Sequence, residues 1–313
     1  MRSALVLLMV AIAGCAHPSL ATAKPNSSRK TMPNAPCTKS ITPADAPRLQ
    51  KIVDELPDGA VLCLGEGRYE AQLFIERSLT IRGAGSTTIL DARSCGSAVT
   101  VARHEVDLTI EQMVLRRGSG GGTGEGGNLS VDKAHRIVVR DVSFELGEAD
   151  ANGGGALMAR SGEIVLEHCT MTGNRGSRAQ AILLDGIASV TLRDCVVIAD
   201  QGEAPAALVV GGAQLTLDHS TVIGSHGAVR VRGNNPTRPS LVVDASILGM
   251  PAIASEATNE SPRITVRDSA LSAAASGIED LGGNVYGELR LDAEHRPIAG
   301  SIAEGRGPRL TKR

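Results

Sequence analysis

Leu108-Thr-Ile-Glu-Gln-Met-Val-Leu115, Ile137-Val-Val-Arg-Asp-Val-Ser-Phe144 and Ile164-Val-Leu-Glu-His-Cys-Thr-Met171 align position for position. Four more segments follow: Val190-Thr-Leu-Arg-Asp-Cys-Val-Val197, Leu215-Thr-Leu-Asp-His-Ser-Thr-Val222, Leu241-Val-Val-Asp-Ala-Ser-Ile-Leu248 and Ile264-Thr-Val-Arg-Asp-Ser-Ala-Leu271. Their starts lie 29, 27, 26, 25, 26 and 23 residues apart. The first, third and eighth positions are apolar in all seven copies, and the second is always Thr or Val. Alternation with β-branched residues means strand. A second, shorter apolar stretch lies between copies, at Leu129–Val131, Ala156–Ala159, Ala181–Leu184, Ala207–Val210 and Ala228–Val231. A repeat holding two or three short strands with no helix between them excludes a βαβ unit. It fits one coil of a solenoid whose rungs stack at about 4.8 Å. Leucine-rich repeats have a similar period, but their Leu/Asn signature is missing.

On these repeats the chain resembles the right-handed parallel β-helices of the pectin-lyase-like kind, over residues 60–290. The resemblance implies an all-β, single-stranded right-handed parallel β-helix of about eight coils. Val61–Tyr69, Leu79–Gly85 and Thr88–Leu90 look like the opening strand and first rung of that family. Upstream, Leu49, Ile52, Val53 and Leu56 share one helical face behind Thr42 or Asp45 as N-cap. A capping helix in residues 41–59 would cover the open end of the core, which is otherwise a sticky edge. Gly283–Gly287 and residues 296–301 resemble a common closing segment of these proteins, with 291–313 as C-terminal cap or tail.

The N-terminus reads as an address. Arg2 precedes the apolar run Ala4–Ala13, too short to span a bilayer as a helix and consistent with a secretory leader. Ile12-Ala13-Gly14-Cys15 resembles a bacterial lipobox. That resemblance implies a signal peptide over 1–14, cleavage before Cys15, and lipid on Cys15 that tethers the protein to a membrane of the cell envelope. Ala16, rather than Asp, favours the outer membrane where there is one. An ordinary leader with an incidental Cys is the alternative. Residues 15–40, with Pro18, Pro25, Pro33 and Pro36, read as a flexible linker in an oxidising compartment.

Stacking turns sequence positions into columns. The fifth reads Gln112, Asp141, His168, Asp194, His219, Ala245, Asp268. The His/Asp alternation invites a metal reading, but a sharp bend between two strands takes these residues for their tolerance of left-handed backbone. The fourth column, Glu111, Arg140, Glu167, Arg193, Asp218, Asp244, Arg267, mostly alternates in sign and suits cross-rung ion pairs. The sixth makes Cys169 and Cys195 neighbours, at a spacing that allows a disulfide or, equally, a pair of buried thiols. Cys37–Cys63 is the favoured bridge, pinning the capping helix to the first coil. Five Cys remain apart from Cys15, so at least one is unpaired, and Cys95 has no obvious partner.

Composition narrows function. The 313 residues are 42% hydrophobic but 1% aromatic, with two Tyr, two Phe and no Trp. A net charge of −2 and the missing aromatics exclude a basic or base-stacking nucleic-acid surface. In pectate-lyase-like enzymes the substrate groove lies along one sheet, here the one beginning near Asn128, Ala156, Ala181, Ala207 and Ala228. Its outward column is expected to be Ser130, Met158, Leu183, Val209 and Arg230, beside Asp132, Arg160, Asp185, Gly211 and Arg232. An apolar centre with alternating charges is a poor catalytic floor. The loops offer more: Glu145, Glu148 and Asp150, then Arg175 and Arg178, then Asp200 and Glu203, then His226. A solvated charged edge is the bland reading. Ligand contacts through Glu145, Glu148, Asp150, Arg178, Glu203 and Arg230 are the functional one, with Asp200, His226 and Arg175 as acid–base candidates. Gly118–Gly127, seven Gly in ten residues, contains GxGxxG, but no helix follows, so dinucleotide binding is rejected. The expectation is an envelope-anchored, non-catalytic solenoid that binds polysaccharide or serves a structural role. The alternative is a polysaccharide lyase or glycoside hydrolase acting on uronate-containing glycans, with Ca²⁺ if a lyase.

Overall fold

In a computed structural model the described residues are 35–120, 126–150, 153–233, 237–249, 251–257, 261–273, 277–292, 295 and 297–308. The leader, Cys15 and most of the expected linker lie outside them, as does the middle of the Gly-rich run. The described chain is an all-β parallel solenoid of about nine turns, with one short α-helix near its N-terminus. A 19-stranded sheet forms two limbs meeting at a bend, and an eight-stranded sheet closes the third side. The strands Asp107–Arg116 and Arg136–Glu145 run through the bend unbroken.

The seven aligned segments stack in register. Ile137 lies between Leu108 and Ile164, and the series continues through Val190, Leu215, Leu241 and Ile264. Their first, third and eighth residues point inward and are buried, as is Leu62–Ile81–Ile110 in the earlier turns. Tyr69 and Phe144, half of the chain's aromatics, are fully buried, so the narrow core does hold two rings. The Tyr69 hydroxyl donates to the carbonyls of Ile41 and Gly65, each at 3.1 Å, which makes its burial tolerable. A strand at Lys39–Ile41 pairs onto Leu62–Leu64 and begins the stack before the first expected rung.

The N-terminal end is closed as the helical pattern implied. A 3₁₀ turn, Pro43–Arg48, leads into a helix, Leu49–Glu55, with Leu49 and Val53 buried against the first turn. The Thr42 N–H donates to the Asp45 carboxylate at 3.1 Å. Cys37 and Cys63 form a disulfide with Cα atoms 5.7 Å apart, enclosing this cap. By chain entropy such a loop is worth about 3.5 kcal/mol. At the other end, Val285–Tyr286 adds to Ala270–Leu271. The chain then runs back along the outside of the second limb, where Ala303 packs on Ile247 and Ala270. Arg306 pins it there by donating to the carbonyls of Asp268 and Gly283. Among the described residues no helix is long and apolar enough to cross a membrane.

Candidate functional site

The fifth-column residues are the bend. All seven, from Gln112 to Asp268, have φ between 46° and 58°. The His/Asp run is therefore set by backbone geometry, and Ala245 shares the conformation of Asp141. Past the bend, the sixth column forms a buried ladder parallel to the solenoid axis. The N–H of Cys169 donates to Cys195 Sγ at 3.4 Å, that of Cys195 to Ser220 Oγ at 3.1 Å, that of Ser220 to Ser246 Oγ at 3.0 Å, and that of Ser246 to Ser269 Oγ at 3.1 Å. Asn284 Oδ1 receives the last N–H, from Ser269. Cys169 and Cys195 are free thiols, so of the two sequence alternatives the cross-rung bridge is the one not formed. Burial pushes the Cys169 thiol well up.

The fourth column does pair across rungs, with Arg140–Glu167 at 2.7 Å, Glu167–Arg193 at 2.9 Å and Arg193–Asp218 at 3.1 Å. Burial would raise the Glu167 carboxyl, but the Arg140 and Arg193 guanidinium groups outweigh it and hold it below its ordinary range. Earlier in the stack Asp91 is buried, yet also held low. The Arg117 fork grips both its oxygens, the Arg93 N–H donates to it, and Arg68 lies 3.0 Å away.

The outward face of the short sheet differs from expectation by one position. Met158, Leu183, Leu208, Arg230 and Ala254 are in register, and Leu208 rather than Val209 faces out. Val209 belongs to the main core, and Val210 stands where Gly211 was expected, beside Arg232. The physical reason is that Ala207–Val210 are four consecutive buried residues with no alternation to show parity. Met158, Leu183, Leu208 and Val210 form their own buried cluster with Ala179 of a neighbouring loop. The apolar floor is thus covered, not an open groove.

The loops between the second limb and the short sheet stack into a shelf. Glu148–Ala149 pairs with Arg175–Gly176, and Ser119 bridges to Glu148 from the turn before. Glu148, Asp150, Arg175 and Ser177 are exposed along it, and the Ser177 hydroxyl donates to the Asp150 carbonyl at 2.6 Å. Glu145 lies 3.9 Å from Arg116, and Arg178 leans over the short sheet to within 3.8 Å of Asp185. Asp200, Glu203 and His226 are exposed on the next two loops, where the Asp200 carboxylate accepts from Gln201 at 2.8 Å. The shelf brings Glu148, Asp150 and Arg175 together. Asp200 and His226 belong to separate, shorter loops outside its paired strands.

Glycine makes the shelf possible, a role that the residue pattern of the Gly-rich run does not disclose. A Cβ on Gly127 would lie 1.6 Å from the Gly155 carbonyl oxygen, and one on Gly147 1.9 Å from the same atom. Gly120 donates to the Glu148 carbonyl at 3.0 Å, and Gly127 to that of Gly154 at 2.9 Å. Two buried amides brace the stack from beneath. Asn174 Oδ1 accepts from Gly147 N–H at 2.9 Å and from Asn128 Nδ2 at 3.1 Å. Among the described residues no three His, Cys, Asp or Glu side chains come close enough to hold a metal ion.

No family model matches the chain, and no curated protein matches it in sequence. Among solved structures it is similar to an alginate lyase from Paenibacillus sp. str. FPU-7, at 14% identity and a TM-score of 0.34, over 83% of this chain and 98% of that one. It is also similar to the pectin methylesterase PemA from Erwinia chrysanthemi, at 10% identity and a TM-score of 0.42, over 89% of this chain and 92% of that one. Likeness of that order lends this chain no chemistry.

Proposed function

We propose that this protein is a non-catalytic solenoid that binds an extended polysaccharide along its loop shelf and is tethered to the bacterial cell envelope by lipid on Cys15. The observation that supports it best is the register of the shelf. Ser119, Glu148 and Arg175 follow one another in consecutive turns, with Asp150 and Ser177 as a second exposed row. Polar groups repeating at about 4.8 Å along a rigid axis can meet successive hydroxyls of a straight glycan, with the backbone stacking fixing their spacing. Sugar-stacking aromatics contribute little. Phe74 is half-buried, and the partly exposed Tyr286 is engaged with Asp280 at 2.8 Å.

The competing reading is a lyase or hydrolase of uronate-containing glycans, using Asp200, His226 and Arg175. Hydrolysis needs carboxylates facing one bond from set distances. Glu148 and Asp150, two residues apart on the shelf beside Arg175, are its strongest support.

The test is incubation with a panel of neutral and acidic polysaccharides, following both binding and the release of unsaturated or reducing ends. Binding without turnover is expected, unchanged in Asp200→Ala and His226→Ala. Turnover abolished by either substitution would overturn the non-catalytic reading. Lipidation is checked separately, by incorporation of labelled palmitate into the full chain and its loss in Cys15→Ser.

A further inference from the structure

Arg230 and Arg232 stand two residues apart on the strand Val229–Gly233, so both side chains leave the same face of the short sheet. Both turn to one carboxylate. Glu256, opposite Arg232 in the next turn, accepts from Arg232 Nε at 2.7 Å. Its other oxygen lies 3.3 Å from Arg230 Nε. That second approach makes no hydrogen bond, and among the described residues Arg230 Nε is a buried donor without a hydrogen-bond partner. The neighbours of Arg230 in its column are Leu208 before it and Ala254 after it, neither of which has a side-chain acceptor. Among the described residues two guanidinium groups therefore share a single carboxylate, an excess of one positive charge over these three side chains, beside a buried apolar cluster. The three side chains are 34%, 38% and 41% exposed, within reach of a ligand.

We infer that Arg230 and Arg232 form a clamp for a carboxylate of an acidic glycan, with Glu256 as a resident stand-in that aligns the two guanidinium groups. The inference rests on the polysaccharide reading above and names the class of glycan. A planar guanidinium fork pairs bidentately with a carboxylate. Arg230 has only the longer, non-hydrogen-bonded approach to Glu256. The low polarity of Leu208 and its buried neighbours strengthens the pairing relative to open solvent. An incoming uronate would complete the second pair, or take the place of Glu256 altogether.

The experiment measures binding of polygalacturonate and of neutral dextran to the full chain and to the variants Arg230→Gln and Glu256→Gln. Polygalacturonate is expected to bind tighter than dextran. Arg230→Gln should lose at least about tenfold of that affinity, the size of one charge-assisted pair. Glu256→Gln should gain affinity, because it removes the competing carboxylate and leaves both guanidinium groups in place. That gain is a readout which a merely misfolded variant cannot produce. Dextran binding should not change in either variant. Acidic-glycan binding indifferent to both substitutions, or binding of dextran alone, overturns the clamp and leaves the polysaccharide reading standing. Failure of every polymer in the panel to bind overturns both.

Discussion

Gln50 hydrogen-bonds Phe74 through both ends of its side-chain amide. Its Oε1 accepts the Phe74 N–H at 2.8 Å, and its Nε2 donates to the Phe74 carbonyl at 3.1 Å. Phe74 is the middle residue of Leu73–Ile75, the first strand of the short sheet. One glutamine thus does for this edge what another strand would do, and shields a row of unpaired backbone groups from other chains. Gln50→Ala should cost about 1–2 kcal/mol, since both groups lose a partner in a half-buried setting. Urea unfolding measures the loss, and light scattering should show association absent from the native protein. An unchanged midpoint would mean that water replaces the amide without penalty.

Gly127→Ala should be far more damaging than Gly59→Ala, although Gly59 has the less favourable backbone. Gly59 sits at φ +75 with nothing within 4 Å of an added methyl, so Ala there meets only left-handed strain, about 1–2 kcal/mol. At Gly127 the methyl would fall on the Gly155 carbonyl of the next turn. The two loops would have to separate, with a cost beyond about 4 kcal/mol. Thermal melts of the two variants give the ranking, and equal melting points would refute the backbone-stacked shelf.

What was legible in the sequence follows from which groups carry the information. The repeat register survives because each inward position demands an apolar side chain, and a slip of one residue would expose every one of them. The bend was readable from Asp141, His168, Asp194 and His219, whose side chains favour left-handed backbone. Gln112 and Ala245 adopt it only because neighbouring turns do. Leu208 was misplaced because Ala207–Val210 are buried on both faces. The loops carrying Glu148, Asp150 and Arg175 stand out in the sequence, but their stacking does not: it is held by backbone groups of glycines, and a residue without a side chain reads as freedom whether it is loose or closely packed. Likewise, nothing in the spacing of Arg230 and Arg232 discloses that Glu256, in the next turn, serves both.

Asp91 should make the fold sensitive to acid. Its carboxyl is held below the ordinary value in the folded chain by Arg117, the Arg93 N–H and Arg68, despite burial that acts the other way. A group with a lowered folded pKa contributes stability that is fully present above its unfolded value, near 3.8, and is lost as pH falls through the folded value. Glu167 and Asp218 are held low as well and add to the same trend. Urea midpoints should therefore be flat from neutral pH to about pH 5 and fall steeply below about pH 4. Asp91→Asn should cost about 3 kcal/mol at pH 7, since it uncouples a buried carboxylate from its guanidinium partners. Its deficit should shrink as the pH drops. A deficit independent of pH would assign the loss to packing rather than charge.

The buried ladder past the bend predicts which thiols and hydroxyls are interchangeable. Each rung needs a side-chain atom that accepts the N–H of the rung before it, and Cys195, Ser220, Ser246 and Ser269 all meet that need. Cys195→Ser keeps an acceptor for the Cys169 N–H and a donor for the Leu166 carbonyl, so the change should stay within about 1 kcal/mol. Ser220→Ala removes the acceptor of the Cys195 N–H together with the donor to the Leu192 and Asp218 carbonyls. It should cost about 1–3 kcal/mol, because a buried N–H is then left unpaired. The same burial governs reactivity. Cys169 and Cys195 are covered, and the Cys169 thiol is pushed well up, away from the reactive thiolate form. Half-buried Cys95 should react first with a thiol reagent under native conditions, while Cys169 and Cys195 respond only on unfolding. Peptide mapping after timed labelling reads the order directly. Early labelling of Cys169 would mean that the ladder opens on its own in the folded protein.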